Sequence, residues 1–399
     1  MIETENIAVG IGIGWDKNIS KAIKEAIQQA RSNLYRDKID LAIVFSTINF
    51  TQTNTIQTIT DILGDIPIIG CSGAAIITNK GILSNGISIM LLNFPKTTCF
   101  NTALVNNIAS KTAFNAGEEL GVKLLRGFQN IRRDLGLIFS DGLIKDVSGL
   151  IYGLQEKLGT SFPLIGASAS DNLQFLKTYI YFNEELCSDA VCGIIFGGKV
   201  NFGWGIKHGW KPLGKPRQIT KSHANIIYEI DNSPAVNVYE EYLACNLREI
   251  KNELSRISTF YPIGIELPGE EEYLLRNLHS VDNEGALIFQ GNVPEGSRIR
   301  LMIGTKESCL AATQQALKEA QNGLFGKKIG FAFIFDSIAR YILLGRNANK
   351  EVEIIKETLG ELTPIMGIYT YGEQAPLKAI NYHGKTYSHN QTCTILAIE

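Results

Sequence analysis

Four side chains in the last third of the chain, Arg340, Tyr369, Tyr371 and Glu373, are costly to leave near a core without partners. Arg340 carries the planar fork that grips a carboxylate. Glu373 can accept from an ammonium, and each tyrosine is a flat apolar wall with a hydroxyl. With Ser337 and Asn390 nearby in sequence, this set would suit an amino acid as ligand. The same residues allow a second reading, an internal Arg340–Glu373 ion pair that only braces two strand ends.

Smaller polar residues stand at matching places earlier in the chain. Ser46 and Thr47 go with Cys71 and Ser72, and Ser140 and Asp141 go with Ser168. Serine, threonine and aspartate are common helix caps, so each reads as a cap as readily as a ligand contact. Cys71 would be the nucleophile of a cysteine-dependent hydrolase or transferase, which needs a base beside its thiol. The histidines, His208, His223, His279, His383 and His389, all follow residue 200. Only tertiary folding could bring one to Cys71, and a small buried thiol is the stronger reading. His383 and His389 lack companions at zinc-ligand spacing.

What must position these residues is a repeat. Three apolar runs end in Phe and a small polar residue: DLAIVFST (40–47), DLGLIFSD (134–141) and GFAFIFDS (330–337). Each leads into a helical stretch and then a Pro-x-x-Gly strand: PIIG (67–70), PLIG (163–166) and PIMG (364–367). Each unit closes with a further apolar strand, starting near 87, 190 and 392. A helix precedes each unit, with apolar residues at helical spacing over 19–30, 113–125 and 309–320. The expected class is therefore α/β, with repeated β-α-β-α-β-β units forming mixed, largely buried sheets. In open α/β sheets ligands gather at the carboxyl ends of the strands, where the polar residues above stand.

A different region, roughly 200–296, separates the second and third units. It is rich in Gly, Trp and Pro and reads as hairpins with one or two helices. The predicted organisation is two domains, 1–200 with two units and 201–399 with the insertion and the third. A chain of 399 residues favours that division.

Composition narrows the function further. Hydrophobic residues are 45%, charged residues 20%, and the formal net charge is -2, which excludes a general pull toward nucleic acid or anionic membranes. The basic stretch KHGWKPLGKPR (207–217) reads as a solvated hairpin. The opening MIETENIAVG has no signal-peptide pattern, and apolar runs are too short to insert in a membrane. Seven scattered cysteines without a CxxC point to free thiols and a cytoplasmic location. AVGIGIGWD (8–16) has G-x-G-x-G spacing, so it reads as a tightly packed strand and not a dinucleotide fingerprint.

The segments GCSGA (70–74), ALIFQGNVPEG (286–296), the spaced Arg340 and Gly345, GIYTYGEQAP (367–376) and HNQT (389–392) resemble the FIST family over nearly the whole chain. That resemblance implies paired N- and C-terminal FIST domains and an intracellular sensor of a small ligand, with amino acids suggested. The family often has a cysteine where this chain has Ser337, so a thiol role there is not implied. Some FIST-like proteins are linked to haem and gas sensing, but no haem-attachment motif occurs here. No kinase or cyclase segment fits within the chain, so the implied output is a separate partner such as a histidine kinase or cyclase. A protein scaffold is the remaining alternative.

Overall fold

The computed structural model describes residues 6–128, 130–377 and 385–399; His383 lies outside the described residues. Each Phe-ending run is a fully buried strand: Leu41–Thr47, Arg133–Ser140 from Asp134 onward, and Phe331–Ser337. Side chains alternate along a strand, so a continuous apolar run must be buried on both faces. Leu41, Ile43 and Phe45 meet a core shared by all three units, while Ala42 and Val44 lie under the unit's own helices. Phe45, Phe139 and Phe335 converge at its centre, with ring centroids 5.4, 5.9 and 6.2 Å apart.

Each Phe-ending strand pairs in parallel with the strand of its Pro-x-x-Gly motif, Ile68–Gly73, Leu164–Ser168 or Ile365–Thr370. The outer strands of each unit add antiparallel, as Ala8–Gly14 and Ile87–Asn93 do in the first. The motif glycine answers to backbone contact. A Cβ at Gly70 would sit 1.8 Å from the Val44 carbonyl oxygen, and one at Gly166 would sit 1.9 Å from that of Ile138. Gly10, Gly12 and Gly14 likewise let helix Ile19–Leu34 lie directly on its strand, with Ala30, Ala26 and Ala22 carbonyls in the space a Cβ would need. The Gly-x-Gly-x-Gly run is thus a packing device.

The units carry one hairpin more than the repeat predicts, and each hairpin leaves its own sheet. Hairpin 76–83 pairs with Ile365–Thr370 of the third unit. Hairpin 180–187 pairs with Ile68–Gly73 of the first, and strand Gly372–Pro376 pairs with Leu164–Ser168 of the second. The exchange is cyclic: first to third, third to second, second to first. It ties the two halves of the chain together across residue 200.

The insertion leaves the third unit between its first strand, Phe202–Lys207, and its first helix, Lys306–Gly323. It has its own sheet and core, built around Ile219, Tyr239, Leu287 and Phe289. Its short helix Leu254–Phe260 is held over the third unit by Trp210, whose indole N–H donates to the Thr259 carbonyl at 3.2 Å. Gln391 Nε2 donates to the Ser258 carbonyl at 2.9 Å. Among the described residues, no helix is long and apolar enough to cross a membrane.

Candidate functional site

Arg340 falls in the first turn of helix Ile338–Leu344, directly after strand Phe331–Ser337. Its guanidinium turns inward and has no exposed surface. Nε donates to Asp336 Oδ1 at 2.8 Å, and Nη2 donates to Glu351 Oε1 at 2.5 Å. The His208 and Cys309 carbonyls and the Thr313 hydroxyl accept its remaining bonds. The predicted Arg340–Glu373 pair is therefore replaced. Helix Ala348–Leu359 folds back beneath the strand end and brings Glu351 to the guanidinium instead. Arg340 is spent on this bracing.

Two acids share one cation here. Burial and the neighbouring Glu351 push the Asp336 carboxyl well above its usual range. Burial also works against ionised Glu351, but Arg340 and the adjoining donors outweigh it and hold that acid low. Asp336, Glu351 and Cys393 lie close enough to resemble a metal site. The guanidinium already supplies the positive charge between the two carboxylates, and burial pushes the Cys393 thiol up, so the set does not suit a metal. Tyr369 is fully buried beside this cluster, its ring 4.6 Å from that of Tyr341.

Glu373 is also internal. Thr370 Oγ1 donates to it at 2.8 Å, and Thr392 donates through its N–H at 3.2 Å and its hydroxyl at 2.7 Å. Burial outweighs these donors and raises the carboxyl to about 7. Asn390 links the third unit to the insertion: its Oδ1 accepts from the Asn277 N–H at 3.4 Å.

The positions in the first two units are likewise satisfied. Ser140 and Ser168 share a hydrogen bond at 2.9 Å. Ser72 donates to the Ser170 carbonyl at 3.0 Å and accepts from the Tyr179 N–H at 3.1 Å. Asp141 accepts from Thr178 Oγ1 and from the Leu143 and Asp189 N–H groups, which fastens the loops around its strand end. Cys71 has no exposed surface, and burial raises its thiol well above the ordinary value. That leaves it without the thiolate a nucleophile needs.

Two of the predicted residues, Ser337 and Tyr371, do line a cavity of about 310 Å³. The insertion, the third unit and loop 171–177 of the second unit enclose it. Tyr371 stacks on Phe175 with centroids 4.5 Å apart and planes within 7°. Its hydroxyl donates to Asp171. Asp171 also accepts from the Phe175, Leu176 and Lys177 N–H groups at 2.9, 2.7 and 2.9 Å. Burial opposes the Asp171 charge, but these donors together hold its carboxyl below the usual range. Asn172, Leu173 and Phe175 all adopt positive φ, at 58°, 63° and 52°. Left-handed conformations at leucine and phenylalanine are unfavourable, so the loop keeps its shape through Asp171 and Tyr371.

The opposite wall comes from the insertion, with Asn277, His279 and Gln290. Asn277 donates to Gln290 at 3.3 Å. Its own Oδ1 is buried and has no partner among the described residues. Sequence reasoning missed Phe175, Asn277, His279 and Gln290. The polar pair Asn277 and His279 within RNLHS, next to the family-like ALIFQGN, was the available signal.

The FIST N domain model matches residues 40–233, and the FIST C domain model matches residues 235–376. The two matches meet inside the insertion. An uncharacterized protein of Methanocaldococcus jannaschii is 24% identical over 411 residues, covering 92% of this chain and 76% of that protein. Among solved structures, a chorismatase is similar over 99% of both chains at a TM-score of 0.38 and 7% identity. A cyanuric acid hydrolase from A. caulinodans is similar over 98% of this chain and 99% of its own, at 0.40 and 7%. Similarity at that level carries no functional argument.

Proposed function

This chain belongs to the FIST family, whose domains are sensory, and we propose that it senses a small ligand in the cavity between Tyr371 and Asn277. The observation that carries the reading is the orphaned Asn277 Oδ1 in the cavity wall. A buried acceptor without a donor costs about 1–3 kcal/mol, and a ligand N–H or O–H removes that cost. The stacked Tyr371–Phe175 pair adds a flat apolar wall. The matching ligand is small and flat, carries a hydrogen-bond donor, and has little net charge. A free amino acid, the class implied by family resemblance, would have two charges to meet. Arg340 and Glu373 were its expected partners, and both are buried in bonds of their own.

Signalling would follow from loop 171–177, which a ligand on Phe175 holds or releases. The output belongs to a separate cytoplasmic protein such as a histidine kinase or cyclase.

A thermal-shift screen of flat heteroaromatic compounds, amino acids and haem tests the reading. A ligand at one hundred times its dissociation constant raises stability by about 2.7 kcal/mol. Phe175→Ala should weaken the hit by at least about tenfold with the fold intact. A hit consumed over time would favour an enzyme, and binding untouched by Phe175→Ala would remove this cavity from the account.

A further inference from the structure

A second cavity, of about 340 Å³, shares no lining residue with the sensory cavity and takes Leu274 and Arg276 of strand Leu274–Arg276 into its wall. This second cavity lies between helix Val147–Leu158 of the second unit, strand Thr386–His389 and the insertion. Arg276 lines it and is only 3% exposed. Among the described residues its guanidinium donates only to carbonyl oxygens: Nε to Asn292 at 3.0 Å, and Nη1 to Leu275 at 2.9 Å and Ser388 at 3.1 Å. Nη2 makes no hydrogen bond among the described residues. Among the described residues no carboxylate pairs with the group, and the sequence of 378–384 beside Lys385 contains no acid. Burial alone lowers its pKa to about 10.

A buried cation without a counter-ion is expensive to hold. The chain nevertheless shapes a seat for it. Gly291, at φ 96°, lies against the guanidinium, and a Cβ there would sit 3.0 Å from Nε. Glu266, which also lines the cavity, ion-pairs with Arg298 and Arg300 at 3.4 and 3.5 Å. Lys385 stands at the rim, its ammonium 5.5 Å from the Tyr387 ring. Much of the remaining wall is apolar, including Leu267, Leu274 and Pro294.

We propose that this cavity binds a small organic carboxylate with an apolar body, its anionic end on Arg276 Nη2 and Lys385 and its body against Leu267, Leu274 and Pro294. An inorganic anion would leave the apolar wall unfilled. A neutral molecule would leave Arg276 without a counter-charge. The site is separate from the sensory cavity, so each can fail without the other.

Isothermal titration of the full chain with benzoate, phenylacetate and hexanoate, each beside its amide and beside inorganic phosphate, provides the test. At least one acid should bind about tenfold or more tightly than its amide and than phosphate, as a charge-assisted bond requires. Lys385→Ala and Arg276→Gln should each weaken it by about tenfold or more, while Phe175→Ala leaves it unchanged. Lys385 is exposed, so Lys385→Ala decides the matter if Arg276→Gln does not fold. The proposal is overturned if none of the three acids binds, if acid and amide bind alike, if phosphate binds as well as the acids, or if Lys385→Ala keeps the parent affinity.

Discussion

Phe45 and Phe139 come from different repeat units, yet their rings meet edge to face at 5.4 Å, and Phe335 of the third unit closes the triangle. No unit completes this centre alone. Phe139→Ala should therefore cost about 3–5 kcal/mol in a denaturant titration. The double variant with Phe45→Ala should cost less than the sum of the two singles, because they share a cavity. Strict additivity would show that the rings do not act together.

Arg340→Ala leaves Asp336 and Glu351 buried without their cation. A loss of about 3–5 kcal/mol is expected, read from the urea midpoint. Affinity for a ligand in the Tyr371 cavity should be unaffected, because the guanidinium does not line it. Near-parent stability together with lost binding would restore Arg340 as a ligand residue.

Legibility in the sequence followed the range of the interactions. The Phe-ending strands and their helices were readable because burial on both faces writes a continuous apolar run. The Gly-x-Gly-x-Gly strand was readable because its spacing fits no phosphate loop. The exchanged hairpins were not, since strands such as Ile76–Thr78 are three residues long and pair with another unit. Glu351 was hidden for a similar reason. In NKEVEIIKE it resembles the exposed acids beside it, and only the fold turns it toward Arg340. The cavity was half legible: Ser337 ends one strand and Tyr371 follows another, while Asn277 and Phe175 arrive from an insertion and a loop.

Glu373 gives the protein a pH signature. Its carboxyl is raised from 4.5 to about 7 by burial, so between those values the folded state holds a proton that the unfolded state has released. Its contribution is complete below about pH 4.5 and is lost as pH rises through 7. The size is on the order of 3 kcal/mol. Unfolding free energies measured from pH 5 to 8 should fall by that order, and Glu373→Gln should remove the slope. An unchanged slope in the variant would assign it to other groups.

Cys71, Cys192, Cys309 and Cys393 are buried, and burial raises every one of these thiols. A thiol reagent applied to the folded protein at pH 8 should spare all four. Mass spectrometry of the digested product reads the outcome, with Cys99, Cys187 and Cys245 as partly exposed internal references. Rapid labelling of Cys71 would revive the cysteine-dependent enzyme.

The cyclic hairpin exchange governs how the chain can be made. During synthesis, hairpin 76–83 leaves the ribosome long before its partner strand Ile365–Thr370 exists. Strand Leu164–Ser168 must likewise wait for Gly372–Pro376. Each waiting strand is an open edge, able to pair with the wrong chain. Such distant pairings also slow folding, since the ends of a long loop must meet before any bond rewards them. A ribosome stalled midway through the insertion would hold two sheets whose rims are not yet closed, and the nascent protein at that stage is the form most exposed to aggregation and most in need of a chaperone.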